Sequence, residues 1–505
     1  MIPVLSAEQL RTVDAETIRD TPITSIDLME RAAARCTEWL LGRFERARPF
    51  LVIAGMGNNG GDGLAIARLL QAAGRTVRVV VVQHRPVGSA DHGVNLERAK
   101  AVGVQVMSHI PQVGPEPPVQ DAVVIDALLG TGLDRPVEGE LRAFIGTVNS
   151  WKADVVAIDL PSGLFADDND TNDPQAIIRG THTLTFEVPK LALLLPENAA
   201  FTGRWHVLPI GLLRGSLLTR PTVFHLLEAS DVATFVPKRS RFAHKGMFGH
   251  ALLMAGGAGK MGAALLAAEA AMASGAGLIT AHVPAGSEQV VHARLPSVMI
   301  LADSGAGALE HLPSLAPYSA IGIGPGIGTA DATARLLKLL IQEAGIPLVL
   351  DADAINLLSL NPTWLAFLPR GSILTPHPKE FDRLAGASQC GHERLMKARD
   401  LAQRRGVIIV LKGAFTAICT PDGKVRFNPT GNPGMAKGGS GDALTGLITG
   451  LLAQGLSPEQ AALLGVFLHG LAGDRAARRV GPEAMSAHDL IASLPEAWQQ
   501  LARPV

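Results

Sequence analysis

Short runs of branched apolar residues alternate along this chain with longer stretches whose apolar positions recur every three or four residues. In the first half the runs are FLVIAGMG (50–57), TVRVVVV (76–82), AVVIDALLG (122–130), DVVAIDLPSG (154–163), THTLTFEVPK (181–190) and GRWHVLPIGLL (203–213). Between them, ITSIDLMERAAARCTEWLLGRF (23–44) and GLAIARLLQAAG (63–74) carry helical spacing, the second closing on Gly74, a residue suited to the position after a helix end. Strand, helix, strand in this rhythm predicts a parallel sheet with helices on both faces. RGSLLTRPT (214–222) breaks the rhythm and reads as a linker.

A second series follows. Its strands are HALLMAG (250–256), GLITAHVP (277–284), AIGIGPG (320–326), IPLVLDAD (346–353), GSILTPH (371–377), GVIIVLKG (406–413) and FTAICT (415–420), and its clearest helices are 262–275 and 441–455. The pattern predicts two α/β domains, 1–215 and 222–505, with no short-period repeat.

Composition narrows the classes of function. The chain has 505 residues, 47% hydrophobic, with 45 Lys and Arg against 46 Asp and Glu, a net charge of −1. No basic excess drives binding to nucleic acid or an acidic membrane, and aromatics at 4% argue against base stacking. Cys36, Cys390 and Cys419 form no C-x-x-C pair. Neither a disulfide framework nor a zinc site is expected, and a cytoplasmic setting fits. The first residues lack the apolar core of a signal peptide, and no apolar run reaches the ~18 residues of a membrane span.

Glycine clusters bring in the chemistry. GMGNNGGDG (55–63) joins a strand to a helix, and Gly55, Gly57 and Gly60 satisfy G-x-G-x-x-G. A redox dinucleotide site would add an acid at the end of the second strand, but that strand ends VVVQHRP (80–86). What remains is an anion-binding turn at a helix start, or a tight turn needing positive φ. Asp126 and Asp159 each close an apolar run at a strand C-terminus, where open α/β sheets bind ligands. Taken singly, either could cap a helix or anchor a loop.

GNNGGDGLAIAR, IDALLGTGLDRP, IDLPSG and TFEVPK, in this order, together with SAEQLRTVDAETI…LMERAA, resemble the NAD(P)H-hydrate epimerase domain of the N-terminal YjeF family over about residues 1–215. The resemblance implies a Rossmann-like three-layer αβα sandwich. It implies that Asn58, Asn59, Gly60, Gly61 and Asp62 cradle the hydrated nucleotide. Gly130, Thr131, Gly132, Leu133, Asp134, Arg135 and Pro136 would form a second phosphate loop, and Asp159 would be the acid–base group beside the nicotinamide ring. Asn59, Asp126 and Ser162 match positions that hold a potassium ion, and their oxygens suit a hard cation. Lys190 matches the family's lysine after the TF strand, as a charge partner or a surface lysine.

The sharpest motif is GNPGMAKGGSGDALTGLITGLL (431–452). Gly438, Gly439 and Gly441 precede a helix and would turn N–H donors toward an anion. Asp442, in the first turn, either complements the helix dipole or takes a proton from a hydroxyl attacking phosphorus. GGAGKM (256–261) is not a Walker loop, since Met254 and Met261 stand where Gly and Ser/Thr are required.

With HKGMFGHALLMAGG, GPGIG, VLDADAIN, LTPHPKEFDRL and LKGAFT, this turn resembles the ribokinase-like NAD(P)H-hydrate dehydratase domain of the C-terminal YjeF family, over about 222–505. That likeness implies substrate contacts from Ala263, Gly326, His377 and Asp442. The adenine nucleotide would lie against Lys412, Gly413, Ala414, Phe415, Thr416 and Gly441. Asp351 and Asp353 could orient metal or phosphate or cap the next helix, and Lys437 stands where the family more often has Thr or Ser.

The two likenesses together imply repair of hydrated NADH and NADPH. The front domain would interconvert the R and S hydrates. The rear would dehydrate the S form with ADP as phosphoryl donor and Mg²⁺ on the phosphates. The expected partners are these small molecules and further copies of the chain. The rival readings are a ribokinase-like kinase of a vitamin alcohol, a non-catalytic front module, and a nicotinamide dehydrogenase.

Overall fold

In a computed structural model, residues 1–111, 115–305 and 307–502 are described. The last three residues of the expected second domain, 503–505, lie outside them. The chain divides into two compact units, one ending at Thr222 and the other running from Val223.

The front unit is built on seven parallel strands in the order Gln105–His109, Val77–Val82, Phe50–Ala54, Val123–Ala127, Asp154–Ile158, His182–Phe186 and Arg204–Leu208. Alternation along the strands feeds both faces. Val52, Ala54, Ile125, Ala127, Val156 and Ile158 pack with the helix Asn58–Ala72 on one side. Ile53, Val124 and Val155 pack with the helix Gly139–Asn149 on the other. The chain winds outward in both directions from Phe50–Ala54 and Val123–Ala127, so the topological switch lies between them and opens a crevice beyond their C-terminal ends.

The predicted linker is a difference. Residues Arg214–Thr219 form a helix. Leu217 packs with Leu10, Val13 and Leu212, and the Ser216 hydroxyl donates to Glu16. The alternation rule misses it because one buried turn of helix has too few residues to show a period.

The rear unit repeats the same winding. Its parallel strands run Met299–Ala302, Leu278–Val283, His250–Met254, Ala320–Ile323, Leu348–Leu350, Ile373–Leu374 and Ile408–Leu411, with the switch between His250–Met254 and Ala320–Ile323. The sheet continues through an antiparallel pair, Ala417–Cys419 and Val425–Phe427, which the uniform parallel expectation did not separate. The helices Met261–Ala273 and Ser440–Ala453 pack face to face. Gly446 makes this possible, because a Cβ there would lie 1.9 Å from the Ala267 carbonyl oxygen.

Candidate functional site

In the front unit the helix after the first strand begins at Asn58, so the glycine run forms its first turns rather than a loop before it. Gly55 and Gly60 do not have positive φ. They are glycines because a Cβ on Gly55 would meet the Leu128 oxygen at 1.8 Å and one on Gly60 the Gly55 oxygen at 1.8 Å. This close approach of backbone brings the turn against the loop after Val123–Ala127. Gly130 lies on the Asn59 side chain, whose Nδ2 donates to the Leu129 oxygen at 2.8 Å. Of the second loop, Gly132, Asp134 and Arg135 are exposed, while Thr131, Leu133 and Pro136 are partly covered.

Asp126, Ser162 and Asn59 converge there. Ser162 donates its Oγ to Asp126 Oδ1 at 2.5 Å and its N–H to Oδ2 at 2.8 Å. Burial outweighs these bonds and pushes the Asp126 carboxyl up to about 6. Asn59 Oδ1 is buried and accepts no hydrogen bond among the described residues.

Asp159 stands one strand over, with φ of 64°, a left-handed backbone that a non-glycine residue adopts at a cost. Its N–H donates to the Leu184 oxygen at 2.7 Å, which aims the side chain along the strand His182–Phe186. Lys190 is 1% exposed and therefore not a surface lysine. Its Nζ donates to Asp159 Oδ1 at 2.5 Å, to Thr185 Oγ1 at 2.8 Å and to the Phe186 oxygen at 3.1 Å. Two more carboxyls feel this pair. Desolvation, reinforced by Asp159, pushes Asp62 well above the usual carboxylate range and Asp14 up to about 6. Asp14 was not singled out in the sequence, where it is one acid in a polar helix.

In the rear unit Gly439, at φ of 92°, caps the helix Ser440–Ala453 in the left-handed conformation. Asp442 follows in the first turn, and burial with help from Asp351 pushes its carboxyl up to about 6, against the pull of Lys412. Asp351 precedes the helix Ala352–Leu360, but its side chain caps nothing. Its carboxylate accepts instead from Lys412 Nζ at 2.9 Å and from Thr445 Oγ1 at 2.8 Å. Gly441 faces that pair, 3.3 Å from Lys412 Nζ and 3.5 Å from Asp351 Oδ2 as measured from a Cβ position. Thr445 was missed in the sequence, although a threonine one turn after Asp442 in an apolar helix is a signal of a buried bond.

His377 caps the helix Pro378–Ala385. Its ring accepts from the Glu380 N–H at 3.3 Å, and Glu380 Oε2 returns the favour to the His377 N–H at 2.8 Å. Glu380 also lies 3.9 Å from Lys412, which links His377 to the centre. Gly326, at φ of 70°, touches Lys260 and Ala263, with Cβ separations near 3.1 and 3.2 Å. The turn after Lys412 closes by Thr416 Oγ1 donating to the Gly413 oxygen at 3.1 Å, leaving Gly413 and Ala414 exposed and Phe415 partly covered. Asp353 accepts from the Gly328 N–H at 2.8 Å and faces Lys260 at 3.5 Å. Lys437 is exposed and donates to the Glu483 oxygen, so it belongs to the surface rather than to the cradle.

Among the described residues no helix is long and apolar enough to cross a membrane. The family model described as NAD(P)H-hydrate dehydratase matches residues 251–496, and that of the YjeF-related protein N-terminus matches 25–192. The bifunctional NAD(P)H-hydrate repair enzyme of Moorella thermoacetica is 38% identical, over 99% of this chain and 98% of its own. The enzyme of the same name from Escherichia coli is 33% identical, over 97% and 92%.

Among solved structures, a ribokinase-like superfamily protein of Enterococcus faecalis is 28% identical with a TM-score of 0.50, covering 56% of this chain and 99% of that one. An ADP/ATP-dependent NAD(P)H-hydrate dehydratase from Bacillus subtilis, co-crystallised with ATP and Mg²⁺, is 33% identical, with a TM-score of 0.48, over 55% and 98%. The full-length relatives span both units, so neither a one-domain kinase nor a lone dehydrogenase accounts for the chain; it belongs to the family of bifunctional NAD(P)H-hydrate repair enzymes.

Proposed function

We propose that this chain repairs NADH and NADPH that have gained water across a ring double bond. The front unit interconverts the R and S epimers of the C6 alcohol. The rear unit dehydrates the S form at the expense of ADP, giving reduced cofactor, AMP and phosphate. The observation that carries the reading is Asp442. It is a desolvated carboxylate in the first turn of a glycine-capped helix, at the same centre as a lysine on the adjoining strand end.

Asp442 takes the hydroxyl proton as the oxygen attacks the terminal phosphorus. Gly438 to Gly441 receive the phosphoryl oxygens, and Lys412, fixed by Asp351, draws the transferred charge. Phosphate then departs from C6 with the electrons of its C–O bond as the N1 lone pair pushes in, and transfer of a C5 proton to the departing phosphate re-forms the C5–C6 double bond and returns the pair to N1. Lys412 to Thr416 and Gly441 hold the adenine nucleotide, while Ala263, Gly326 and His377 line the hydrated ring's side. Mg²⁺, bound with the nucleotide, would supply charge neutralisation to its phosphates. The protein offers it few vacant carboxylates, since both Asp351 oxygens are occupied, which suits a metal held mainly by phosphate and water.

In the front unit Asp159 moves the hydroxyl proton, with Lys190 keeping it aimed. Asn58 to Asp62 and Gly130 to Pro136 hold the nucleotide. The unpartnered Asn59 oxygen, the Asp126 carboxylate and the Ser162 hydroxyl fit a potassium ion, which would supply positive charge beside the phosphates. Assembly into a homo-oligomer and a cytoplasmic location belong to the same proposal.

The test is incubation of the purified protein with mixed hydrate epimers and ADP or ATP. Complete recovery of the near-ultraviolet absorbance of reduced nicotinamide, with AMP and phosphate when ADP is the donor, is expected. Recovery that stops at the S fraction would remove the epimerase, and a stable phosphorylated product would favour a kinase.

A further inference from the structure

Four parallel strands end side by side at the front crevice, in the order Val77–Val82, Phe50–Ala54, Val123–Ala127 and Asp154–Ile158. Asp159 follows the last of these, Asp126 and Gly130 belong to the end of the third, and the glycine turn follows the second. The end of the first carries QHRP (83–86), with no acid and with a cation, Arg85.

Hydrogen bonds fold this end back over the glycine turn. The Gln83 N–H donates to the His109 oxygen at 2.8 Å, so pairing with the outer strand continues one residue past Val82. The chain then reverses, and the Ser89 N–H donates to the Met56 oxygen at 2.9 Å. Arg85, between the two, donates from Nη2 to the same oxygen. A Cβ position on Gly57 lies 3.5 Å from that nitrogen, and one on Gly55 lies 3.3 Å from His84 Cε1. The guanidinium therefore stands against the turn that opens the helix Asn58–Ala72. It is exposed, and among the described residues it has no ion-pair partner. His84 does not share its charge, since Nδ1 lies 3.1 Å from the Val82 oxygen and burial lowers the ring's basicity. Asp91, the nearest acid along the chain, accepts from the Ser25 hydroxyl at 2.5 Å.

We propose that Arg85 binds the 2′-phosphate of the adenosine ribose, so that the front unit favours hydrated NADPH over hydrated NADH. This rests on the front-unit reading above, in which the hydrated ring lies at Asp159 and the phosphates lie between Asn58 to Asp62 and Gly130 to Pro136. Ring to phosphates already runs from the fourth strand end to the third and second. The remainder of an extended dinucleotide continues along that line to the first, which stands about 14 Å from the fourth at about 4.8 Å per strand. The ribose beyond the phosphates then comes over Arg85. Hydrated NADPH carries a phosphate on that ribose where hydrated NADH carries a neutral hydroxyl. A guanidinium fork takes two phosphate oxygens at once, and this strand end has no carboxylate to hold the hydroxyl instead.

The test is R–S exchange by the full chain without ADP, followed by chiral chromatography on NADPH hydrate and NADH hydrate separately. Wild type should show a KM at least about fivefold lower for the NADPH hydrate, with the two kcat values within about twofold. Arg85→Gln keeps a donor but no charge. It should raise the KM for the NADPH hydrate until the two values agree within about twofold. Arg85→Glu should reverse the order, because a carboxylate repels the phosphate and accepts from the ribose hydroxyl. Added salt should shrink the wild-type preference and leave the ratio of the Gln variant where it is.

Equal KM values in the wild type, or a preference that survives in both variants, would overturn the proposal. If neither variant folds, the salt series on the wild type decides, and a preference indifferent to salt overturns it too. If the wild type exchanges neither hydrate, it is the front-unit reading that fails.

Discussion

The two units wind their sheets in the same order and place an aspartate beyond the strand ends of each, yet they handle that aspartate in opposite ways. In the front, Asp159 is tied to a lysine 1% exposed, whose other donors are spent on Thr185 and Phe186. In the rear, Asp442 has no such tie among the described residues. Lys412 is bound to Asp351, and desolvation lifts the Asp442 carboxyl to about 6. A directly paired carboxylate is fixed in orientation. One whose lysine is occupied elsewhere stays close to exchanging its proton at neutral pH, as a base for a single deprotonation requires.

The comparison breaks first at Asp442. Asp442→Asn should lower dehydration by about 10²–10⁴-fold and leave R–S exchange untouched. It should also raise the rear unit's Tm at neutral pH by roughly 2–4 °C. The sign follows from a folded value near 6 against 3.8. The stability tied to this group is fully present below 3.8 and lost as pH rises through about 6, and the amide does not suffer that loss. The gain should therefore vanish on acidification, which differential scanning calorimetry at several pH values would read.

Lys190→Met tests the front arrangement. Leaving Asp159 buried without its partner should cost about 3–5 kcal/mol, seen as a shifted denaturant midpoint of the front unit. A shift under about 1 kcal/mol would mean that solvent already reaches the pair. The smallest effect is expected from Thr445→Val, which removes one of the two donors to Asp351. A loss of about 1–3 kcal/mol and a slower dehydration, with epimerisation unchanged, would locate Asp351 as the support of Lys412.

Much of this was legible in the sequence because buried parallel strands are nearly continuous apolar runs, and Phe50–Ala54, Val123–Ala127 and Ile408–Leu411 stand where those runs predicted. The glycine clusters marked both switch points. Other features depended on contacts that spacing does not encode. The start of the helix at Asn58 was hidden because glycine reads as loop. The burial of Lys190 follows from a tertiary partner 31 residues away. Asp351 next to a helix reads as a cap, and only the position of Lys412, 61 residues on, turns it elsewhere. Asp14 was silent because its neighbours come from three other segments.

The cap at His377 has one more consequence. Its Nδ1 accepts the Glu380 N–H, which leaves the ring proton on Nε2, and burial lowers the ring's basicity. The imidazole is thereby held in one tautomer, and its Nε2 faces Glu380 Oε1 at 3.3 Å, so the helix's own carboxylate stands opposite the proton this nitrogen carries. A molecule entering that corner therefore meets a ring whose two nitrogens are both engaged by Glu380, and it must compete with a carboxylate for the Nε2 proton before it can be held there.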